Sequence, residues 1–404
     1  MRILIADKFD AIGQQQLTDL GCEVSFQPEL DPQTLVQAVT NQDPDVVIVR
    51  STRVSAAVIA AAERLKLIVR AGAGYDTIDV AAASHAGVFV ANCPGKNAIA
   101  VAELAFGLVL CCDRRLPGQS AELRSGHWNK KEYSKARGLF GRTLGIAGFG
   151  NIGQEVATRG RAFGMQVLVW SQDFDARIAE QLGVKRVDSR FTLARHSDVV
   201  SLHVPLTAQT RHLVNDQFID AMKPGAYLIN TSRGQVVDSA ALLRGVRDKG
   251  LRAGLDVYEA EPKGATGSFE HPLFAQATVF GSHHVGASTD QAQQAIALHA
   301  VEIVRRFAAS GEVLDCVNRA RRSHATNLLT VRHENRPGVL ASVFRILSEL
   351  NINVEDMENI LYQGNRAACA RIQLSDSPAN ELQRLRASSP QIMSVELTQI
   401  SAEQ

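Results

Sequence analysis

Three polar residues with complementary chemistry follow strand-like apolar runs of the sequence. Arg233, Glu261 and His284 each come a few residues after such a run. Oxidation of a secondary alcohol needs a base for the hydroxyl proton, and a histidine bonded to a carboxylate can take that proton. An arginine can bind a substrate carboxylate through two parallel hydrogen bonds and polarise the developing carbonyl. The three residues together indicate a dehydrogenase that acts on a 2-hydroxy acid.

Each of these residues also has an ordinary structural interpretation. An arginine before a glycine is typical of a surface turn, and a glutamate before a proline is typical of a helix boundary. The adjacent His283 and His284 could bind a metal, but no acid-rich or Cys-rich partner motif accompanies them, so we predict no metal site. The dehydrogenase interpretation gains weight because all three residues come after a glycine-rich loop.

That glycine-rich loop reads Gly-Phe-Gly-Asn-Ile-Gly at 148–153, after an apolar strand-like run and before a helical pattern. In dinucleotide-binding folds the first glycine makes the turn, the second lets the backbone approach a diphosphate, and the third lets the helix pack on the strand. The diphosphate then lies on the helix N-terminus. The loop predicts a dinucleotide site that includes Gly148, Gly150, Asn151, Ile152 and Gly153.

The next strand should end in an acidic residue if the cofactor is NAD, because a carboxylate binds the ribose hydroxyls. Ser171 occupies that position, and Asp173 follows two residues later. The first cation that could bind the extra phosphate of NADP is Arg177. We therefore favour NAD, with Ser171 and Asp173 near the ribose, and leave NADP open.

Two series of short apolar runs alternate with helical patterns such as 54–64, which predicts an α/β fold with parallel sheets. The second series, from Thr143, has the strand count of a Rossmann fold. A long helix, 290–310, should pack back on the first series and make that domain discontinuous. The expected parts are a flavodoxin-like substrate domain (1–98 and 288–318), a Rossmann domain (99–287), a linker (319–325) and a ferredoxin-like βαββαβ domain (326–404).

Composition and charge exclude several classes of protein. The 404 residues include 43 Lys and Arg against 42 Asp and Glu, so no global basic field attracts nucleic acid or an anionic membrane. The longest apolar run, 98–112, carries Glu103 and is too short to span a bilayer. Six scattered cysteines without C-x-x-C spacing favour reduced thiols and a cytoplasmic location.

The sequence resembles the D-2-hydroxyacid dehydrogenase family over essentially its whole length. Besides the glycine loop, the matching motifs are SLHVPLTAQTRHLVN (201–215), MKPGAYLINTSRGQVVD (222–238), AGLDVYEAEP (253–262) and HVGAST (284–289). The resemblance implies that Arg233 binds the substrate carboxylate, that His284 is the acid/base, and that Glu261 orients His284 and favours its protonated form. One departure is His283, where the family usually has proline.

The same resemblance implies further contacts with NAD. Asp256 would hold the nicotinamide carboxamide, and the loop His203-Val204-Pro205 would cover the adenosine side. The remaining residues expected to line the cofactor site are Thr231, Ser232 and Gly286.

Substrate choice should depend on the N-terminal domain, where Arg50, Ser51, Arg53 and Arg70 follow two strands. Three cations are more than a lactate-sized substrate needs, and they suit a phosphorylated 2-hydroxy acid. The pattern resembles the phosphoglycerate dehydrogenases. The alternative, pairing with surface acids, has the most weight for Arg53. The other residues expected at the substrate are Ala73 and Gly74, whose loop N–H groups can bind a carboxylate, and Asn97.

The C-terminal domain resembles the ACT regulatory domain through the segment 331–340 and Asn351-Ile-Asn353. ACT domains pair edge to edge and bind amino acids at the interface, and short phosphoglycerate dehydrogenases with this domain are inhibited by L-serine. The resemblance assigns the serine contacts to His333, Asn335 and Asn353, with a homo-tetramer as the expected assembly. The alternative is a turn-capping asparagine and a packed histidine, with serine sensing lost.

Two other functions compete with this one. The same fold could reduce hydroxypyruvate or glyoxylate, or oxidise 2-hydroxyglutarate. A different class is a non-enzymatic NADH-sensing protein like the C-terminal-binding corepressors, which the ACT domain argues against.

Overall fold

The computed structural model describes residues 1–262, 266–320 and 323–400. They form two compact units, Met1–Asn318 and Arg319–Gln404. Arg321 and Arg322 of the predicted linker and residues 401–404 of the predicted C-terminal domain lie outside the described residues. The internal boundaries expected at 98 and 287 stay a prediction.

The helices are α1 (Ala11–Asp19), α2 (Pro32–Gln42), α3 (Ala56–Ala60), α4 (Val80–His85), α5 (Ala98–Arg114), α6 (Leu116–Arg124), α7 (Lys130–Tyr133), α8 (Asn151–Ala162), α9 (Ala176–Leu182), α10 (Arg190–His196), α11 (Asp216–Ala221), α12 (Ser239–Lys249), α13 (Asp290–Ser310), α14 (Val339–Glu349) and α15 (Leu382–Ala387). The strands are β1 (Arg2–Ile5), β2 (Glu23–Phe26), β3 (Val46–Val49), β4 (Leu67–Arg70), β5 (Phe89–Asn92), β6 (Thr143–Ala147), β7 (Gln166–Trp170), β8 (Lys185–Arg186), β9 (Val199–Leu202), β10 (Tyr227–Asn230), β11 (Arg252–Leu255), β12 (Val279–Gly281), β13 (Asn327–Glu334), β14 (Val354–Leu361), β15 (Ala367–Leu374) and β16 (Ile392–Gln399).

The first unit contains two parallel sheets, which confirms the predicted α/β class. The five-stranded sheet has the order β2-β1-β3-β4-β5, and the seven-stranded sheet has the order β12-β11-β10-β9-β6-β7-β8. Strands β3 and β10 are buried along their whole length, because helices cover both faces of each sheet, and they therefore read as continuous apolar runs. Helix α13 packs Ile296, Ala300 and Ile303 against the first sheet.

One helix is shorter than its sequence pattern indicates. The pattern 54–64 forms only α3, five residues long. The backbone N–H groups of Glu63 and Arg64 donate to the carboxylate of Asp43, both at 3.0 Å. Because this acceptor comes from a residue 20 positions upstream, the local periodicity could not indicate the early end of the helix.

The second unit is an antiparallel sheet with the order β14-β15-β13-β16. Helices α14 and α15 pack on one face, where Val343, Ile346 and Leu385 meet the buried side chains of β13 and β15. This is the predicted βαββαβ arrangement. Strand β14 lies at an edge of the sheet, and most of its residues are exposed.

Two further observations concern only the described ranges. Within them, no helix combines the length and the apolar character that a membrane crossing requires. The same ranges contain no group of three or more His, Cys, Asp or Glu side chains placed to hold a metal ion.

Candidate active site

The carboxyl edge of the seven-stranded sheet carries six polar segments. Each of the neighbouring strands β12, β11, β10, β9, β6 and β7 is followed by a segment with predicted site residues. Carboxyl ends of parallel strands meet at one edge of a sheet, which is where such folds bind ligands. The topology therefore brings together residues that lie more than 100 positions apart in the sequence.

Glu261 and His284 form a direct hydrogen bond at this edge. The Nδ1–H of His284 donates to Oε2 of Glu261 at 2.7 Å, and the backbone N–H of Tyr258 donates to Oε1 at 2.9 Å. Burial alone would raise the pKa of Glu261, but the bonds from His284 and Tyr258 and the charge of Arg233 outweigh it and hold the pKa below its ordinary value. The ionised carboxylate leaves Nε2 of His284 free to exchange a proton with a ligand.

The loop that carries His284 is held by Asp256. The carboxylate of Asp256 is 1% exposed and accepts hydrogen bonds from Ser282 Oγ at 2.7 Å and from the N–H groups of Val285 and Gly286, both at 2.9 Å. His284 itself adopts a left-handed backbone conformation, with φ of 53°, and its N–H donates to the carbonyl of Asp256 at 2.9 Å. In this structure Asp256 therefore holds the loop that carries His284, whereas the sequence predicted for it only a contact with nicotinamide.

Arg233 is aimed by residues that precede it and by one from the other sheet. Asn230 donates from Nδ2 to the carbonyl of Arg233 at 2.9 Å, and its Oδ1 accepts from the N–H and hydroxyl of Ser232. The guanidinium of Arg233 donates from Nε to Asp76 Oδ2 at 2.8 Å. Asp76 follows β4, so this ion pair joins the edges of the two sheets.

Gly234 lets the Arg233 segment lie directly on the turn that carries Glu261. A Cβ at position 234 would overlap the Tyr258 carbonyl and lie 2.5 Å from the Glu259 N–H nitrogen. The hydroxyl of Tyr258 lies 2.7 Å from the carbonyl oxygen of Ser282, in the His284 segment. The three predicted catalytic residues thus stand on segments that are packed against one another.

The glycine loop fits a dinucleotide. Gly148 has φ of 95°, and a Cβ there would overlap the carbonyl of His203; a Cβ at Gly153 would overlap the carbonyl of Gly148. A Cβ at Gly150 would meet nothing within 4 Å, so the space in front of α8 can accept a ligand. Gly150 is the N-cap of α8 and has no side chain to cap it. The free N–H groups of Asn151 and Ile152 in the first turn suit a diphosphate.

Buried polar atoms of three predicted site residues are also suited to ligand binding. Among the described residues, Oγ1 of Thr231, Oδ1 of Asn97 and Nδ1 of His203 are buried without a hydrogen-bond partner. Buried polar groups normally have partners, so these three atoms suit a ligand with complementary groups.

Ser171 has a structural role at the end of β7. Its hydroxyl accepts from the N–H of Phe149 at 3.2 Å and donates to the carbonyl of Asp173 at 2.7 Å. Asp173 is exposed and lines a groove beside Phe149, Phe174 and Arg177. Ser171 thus connects the glycine loop to the segment that contains Asp173 through two hydrogen bonds.

His203 is a neutral residue of the loop after β9. Burial lowers the pKa of His203 to about 3, and its Nε2 lies 2.8 Å from Ser201 Oγ. Val204 packs on the core of the second sheet, whereas Pro205 is exposed and its carbonyl accepts from Thr210 Oγ1 at 2.6 Å. Contacts with neighbouring residues of the protein therefore hold the loop that was predicted to cover the adenosine.

Arg70 of the first sheet lies close enough to both Arg233 and Arg50 to form a cationic cluster with them. Burial lowers the pKa of Arg70 to about 10, and the charges of Arg233 and Arg50 act in the same direction. Arg50 donates to Ser288 Oγ at 3.2 Å, and burial also lowers the pKa of Arg50. All three side chains are cationic at neutral pH. Three neighbouring guanidinium groups repel one another, so the cluster favours an anionic ligand.

Of the other predicted substrate residues, Gly74 contacts this cluster, whereas Ser51 is bonded to Asp7 and Arg53 is exposed. Gly74 lies directly under the Arg233 guanidinium, which a Cβ would overlap. Among the described residues, the N–H groups of Ala73 and Gly74 donate to no protein atom. Ser51 donates its N–H to Asp7 at 3.0 Å, and Arg53 is exposed.

The predicted effector residues of the second unit fall into two groups. His333 is buried at the end of β13, with Nε2 3.3 Å from Asn359 Oδ1, and Asn335 donates to the carbonyl of Asn365 at 3.0 Å. Asn353 precedes β14 and donates to Glu355 at 2.9 Å. The eight residues of β15 separate the two ends of the sheet by roughly 23 Å. One copy of the unit therefore does not bring Asn353 to His333 and Asn335.

Comparisons with known proteins agree with this geometry. The sequence profile "D-isomer specific 2-hydroxyacid dehydrogenase, NAD binding domain" matches residues 106–286, and the ACT domain profile matches residues 327–358. The hydroxypyruvate reductase of Thermotoga maritima is 45% identical over 260 residues, which are 64% of this chain and 83% of that protein. The chain belongs to the D-isomer specific 2-hydroxyacid dehydrogenase family. Residues 106–286 are the NAD-binding domain of this family member.

Other relatives of the family differ in name and in length. The D-3-phosphoglycerate dehydrogenase of Methanocaldococcus jannaschii is 38% identical over 308 residues, or 76% of this chain, and the match spans 57% of that protein's length. The crystal structure of the TT0316 protein from Thermus thermophilus superimposes with a TM-score of 0.71 at 33% identity, covering 78% of this chain and 100% of that one.

Sequence reasoning missed four residues that shape the site of this family member. Asp76 and Ser288 contact predicted arginines, Asn230 orders the Arg233 segment, and Tyr258 donates to Glu261. Asn230 and Asp76 had a detectable signal, since each is a polar residue within a strand-end segment that already contained a predicted arginine. Ser288 and Tyr258 had none, because their roles depend on contacts between segments.

Proposed function

We propose that the protein is an NAD-dependent D-3-phosphoglycerate dehydrogenase, which oxidises 3-phosphoglycerate to 3-phosphohydroxypyruvate in the first step of L-serine biosynthesis. The observation that carries this proposal is the cluster of Arg50, Arg70 and Arg233 beside the Glu261–His284 pair. One guanidinium is enough for a substrate carboxylate, and the other two suit a second anionic group.

In the proposed reaction Arg233 binds the substrate carboxylate together with the free N–H groups of Ala73 and Gly74. Nε2 of His284 takes the proton of the 2-hydroxyl group, and ionised Glu261 stabilises the resulting imidazolium through Nδ1–H. The glycine loop 148–153 would hold NAD, which would supply the acceptor for the hydride that the substrate carbon loses. In the reverse direction the protonated His284 returns its proton to the carbonyl oxygen.

The phosphate of the substrate would contact Arg50 and Arg70. We expect Arg50→Gln to raise the KM for 3-phosphohydroxypyruvate about tenfold, the loss of one charge-assisted contact, and to leave the KM for unphosphorylated hydroxypyruvate unchanged. The matched control is Arg53→Gln, an exposed arginine three residues away. Equal effects of Arg50→Gln on both substrates would contradict the phosphate assignment.

Asp173 supports NAD as the cofactor, because its exposed carboxylate lies in the groove beside the glycine loop. Asp175 accepts the N–H groups of Arg177 and Ile178 at the start of α9 and is less free to bind a ribose. We expect Asp173→Asn to raise the KM for NADH about tenfold. The ratio of kcat/KM with NADH to kcat/KM with NADPH should fall accordingly. Steady-state rates with both cofactors measure this change.

Regulation by L-serine belongs to the proposal and requires two copies of the ACT unit. Antiparallel pairing of β14 with a second β14 brings the start of one strand, near Asn353, to the end of the other, near His333 and Asn335. The edge carries exposed apolar side chains, Met357 at 40% and Leu361 at 50%, which pairing would cover.

A homo-tetramer needs a second contact, and the segment 116–140 supports one. Helices α6 and α7 bury none of their described residues, and Trp128 and Phe140 are 81% and 88% exposed. Exposed aromatic residues next to helices that bury no side chain are typical of an interface between subunits. A cytoplasmic location is also part of the proposal, supported by six free thiols.

The deciding experiment is the initial rate of 3-phosphohydroxypyruvate reduction with NADH and with NADPH, with and without millimolar L-serine. Fast NADH oxidation that serine suppresses supports the substrate, the cofactor and the effector together. Brisk reduction of hydroxypyruvate or glyoxylate, with little turnover of the phosphorylated substrate, would favour the second candidate, to which the 45% identity with a hydroxypyruvate reductase gives weight. Tight NADH binding without any turnover would favour a non-enzymatic NADH sensor.

A further inference from the structure

A second histidine–carboxylate pair lies beside the proposed catalytic pair. Nε2–H of His212 donates to Oε1 of Glu259 at 2.7 Å, the same length as the bond between His284 and Glu261. The other oxygen of Glu259 accepts the backbone N–H of Ser239 at 3.0 Å. Burial alone would raise the pKa of Glu259, but the bonds from Ser239 and His212 outweigh it and hold the pKa below its ordinary value. Glu259 is therefore an ionised acceptor that binds two donors from other segments.

The His212 segment is fixed to the backbone that follows Arg233. The N–H of His212 donates to the carbonyl of Gln235 at 2.8 Å, and Val214 pairs with Val237 in a parallel bridge. His212 has φ of 48°, a conformation that non-glycine residues adopt only where surrounding contacts hold it. The imidazole of His212 thus projects from an anchored backbone.

Glu259 belongs to the same turn as Glu261, with only Ala260 between them. The inner side of this turn rests on Gly234 and donates the Tyr258 N–H to Glu261. The Tyr258 hydroxyl also donates to the carbonyls of Leu255 and Ser282, which leaves the two bonds to the Glu259 carboxylate as the attachments nearest to Glu261 on its N-terminal side. A movement of Glu259 would therefore be passed to the oxygen that accepts Nδ1–H of His284.

We propose that His212 and Glu259 are positioning residues, which clamp the turn 258–261 so that Glu261 faces His284. This inference rests on the proposed function, because it takes Glu261 and His284 as the acid/base pair of a dehydrogenase. His212 does not exchange a proton with substrate; it acts only through Glu259 and the turn.

The first test compares His212→Ala with His212→Gln. Alanine removes the donor, so kcat for keto-acid reduction should fall about tenfold through imperfect alignment of Glu261, with the KM for NADH unchanged. Glutamine keeps an N–H donor near the position of Nε2 and should restore most of the activity. A purely structural role would instead lower the thermal unfolding temperature of both variants and leave kcat per folded enzyme unchanged.

The matched control is His299→Ala. Nε2–H of His299 donates to Asp315 Oδ2 at 2.6 Å, a pair of similar length in the same unit that contacts none of the proposed catalytic residues. We expect this variant to keep the wild-type kcat. An equal loss in His299→Ala and His212→Ala would overturn the inference.

A second readout needs no substrate. Diethyl pyrocarbonate modifies neutral imidazole, so the rate of modification of His284, followed by peptide mass spectrometry over pH, reports how strongly Glu261 favours its protonated form. In His212→Ala this profile should move to lower pH by about half a pH unit, and in His299→Ala it should stay unchanged. Identical profiles in wild type and His212→Ala would overturn the inference. Absence of turnover in the wild type with every keto acid would instead reject the proposed function.

Discussion

The two units of the protein assemble their predicted sites in different ways. In the first unit, Arg233, Glu261 and His284 come from neighbouring parallel strands whose carboxyl ends lie at one edge of the sheet. In the second unit, His333 and Asn353 lie at opposite ends of an antiparallel sheet. Parallel topology gathers strand-end residues within one chain, whereas antiparallel topology divides them between two ends. We therefore expect the catalytic chemistry to depend on single side chains, and effector binding to depend on the pairing of two copies.

The largest effect should come from His284→Ala in the first unit. Loss of the acid/base should lower kcat about a thousandfold, while NADH binding, measured by fluorescence titration, should stay nearly unchanged. His283→Ala is the matched control, because His283 is the adjacent residue and is exposed; its kcat should stay within about twofold. A strong loss of NADH affinity in His284→Ala would show that the histidine belongs to the cofactor site.

The next effect should appear in the second unit with Asn353→Ala. Loss of one charge-assisted hydrogen bond should raise the serine concentration for half inhibition about thirtyfold, with no change in the uninhibited rate. His333→Ala should behave in the same way.

The two variants also test whether each effector site combines two copies. In a species that contains one Asn353→Ala chain and one His333→Ala chain per ACT pair, one of the two sites carries no substitution. Purification through two different tags isolates this species, and serine inhibition should partly return in it. Inhibition that stays absent in the mixed species would mean that each effector site lies within one chain.

The smallest effect should concern stability and should be confined to the first unit. The side chain of Asp45 is 5% exposed and binds the N–H of Arg2 at 2.9 Å and Lys66 at 3.2 Å. Burial alone would raise the pKa of Asp45, but these bonds and that of Arg64 outweigh it and lower the pKa below its ordinary value.

Because the folded-state pKa of Asp45 is depressed, its contribution is present above about pH 4 and is lost as pH falls through the folded-state value. Asp45→Asn should therefore lower the free energy of unfolding of the first unit by about 1.5 kcal/mol at pH 7, and the difference should shrink below about pH 4. Urea unfolding followed separately for each unit measures this. A change in the ACT transition would show that the units do not unfold independently.

Much of the first unit could be predicted because its signals are local and its topology is regular. Continuous apolar runs indicated buried parallel strands, and the glycine loop indicated the turn before α8. The roles of Asp256 and Ser171 could not be predicted, since each depends on the partner that its oxygen atoms find in a distant segment. Asp256 holds the N–H groups of Val285 and Gly286, about 30 residues downstream, a contact with no local signature.

The predicted effector residues also depend on contacts that the sequence does not indicate. Resemblance to ACT domains indicated His333, Asn335 and Asn353 as a set, and the residue types alone contained no sign that one copy separates them. Their separation follows from the order of the strands in the sheet, because Asn353 directly precedes β14 whereas His333 lies at the end of β13. The helix pattern at 54–64 failed for a related reason, since the N–H groups of Glu63 and Arg64 bind a remote acceptor, the carboxylate of Asp43.

The charges along β14 also affect whether copies of this strand can stack into fibrils. An eight-residue edge strand can accept any extended chain, including identical chains stacked in parallel as in amyloid fibrils. Such stacking would place Glu355, Asp356 and Glu358 each beside its own copy, and like charges directly opposite one another destabilise a sheet. In an antiparallel pair the residue order reverses, so carboxylates meet their own copies only at the symmetry axis. The acidic residues of β14 thus leave a two-fold pair accessible while they oppose the growth of a fibril.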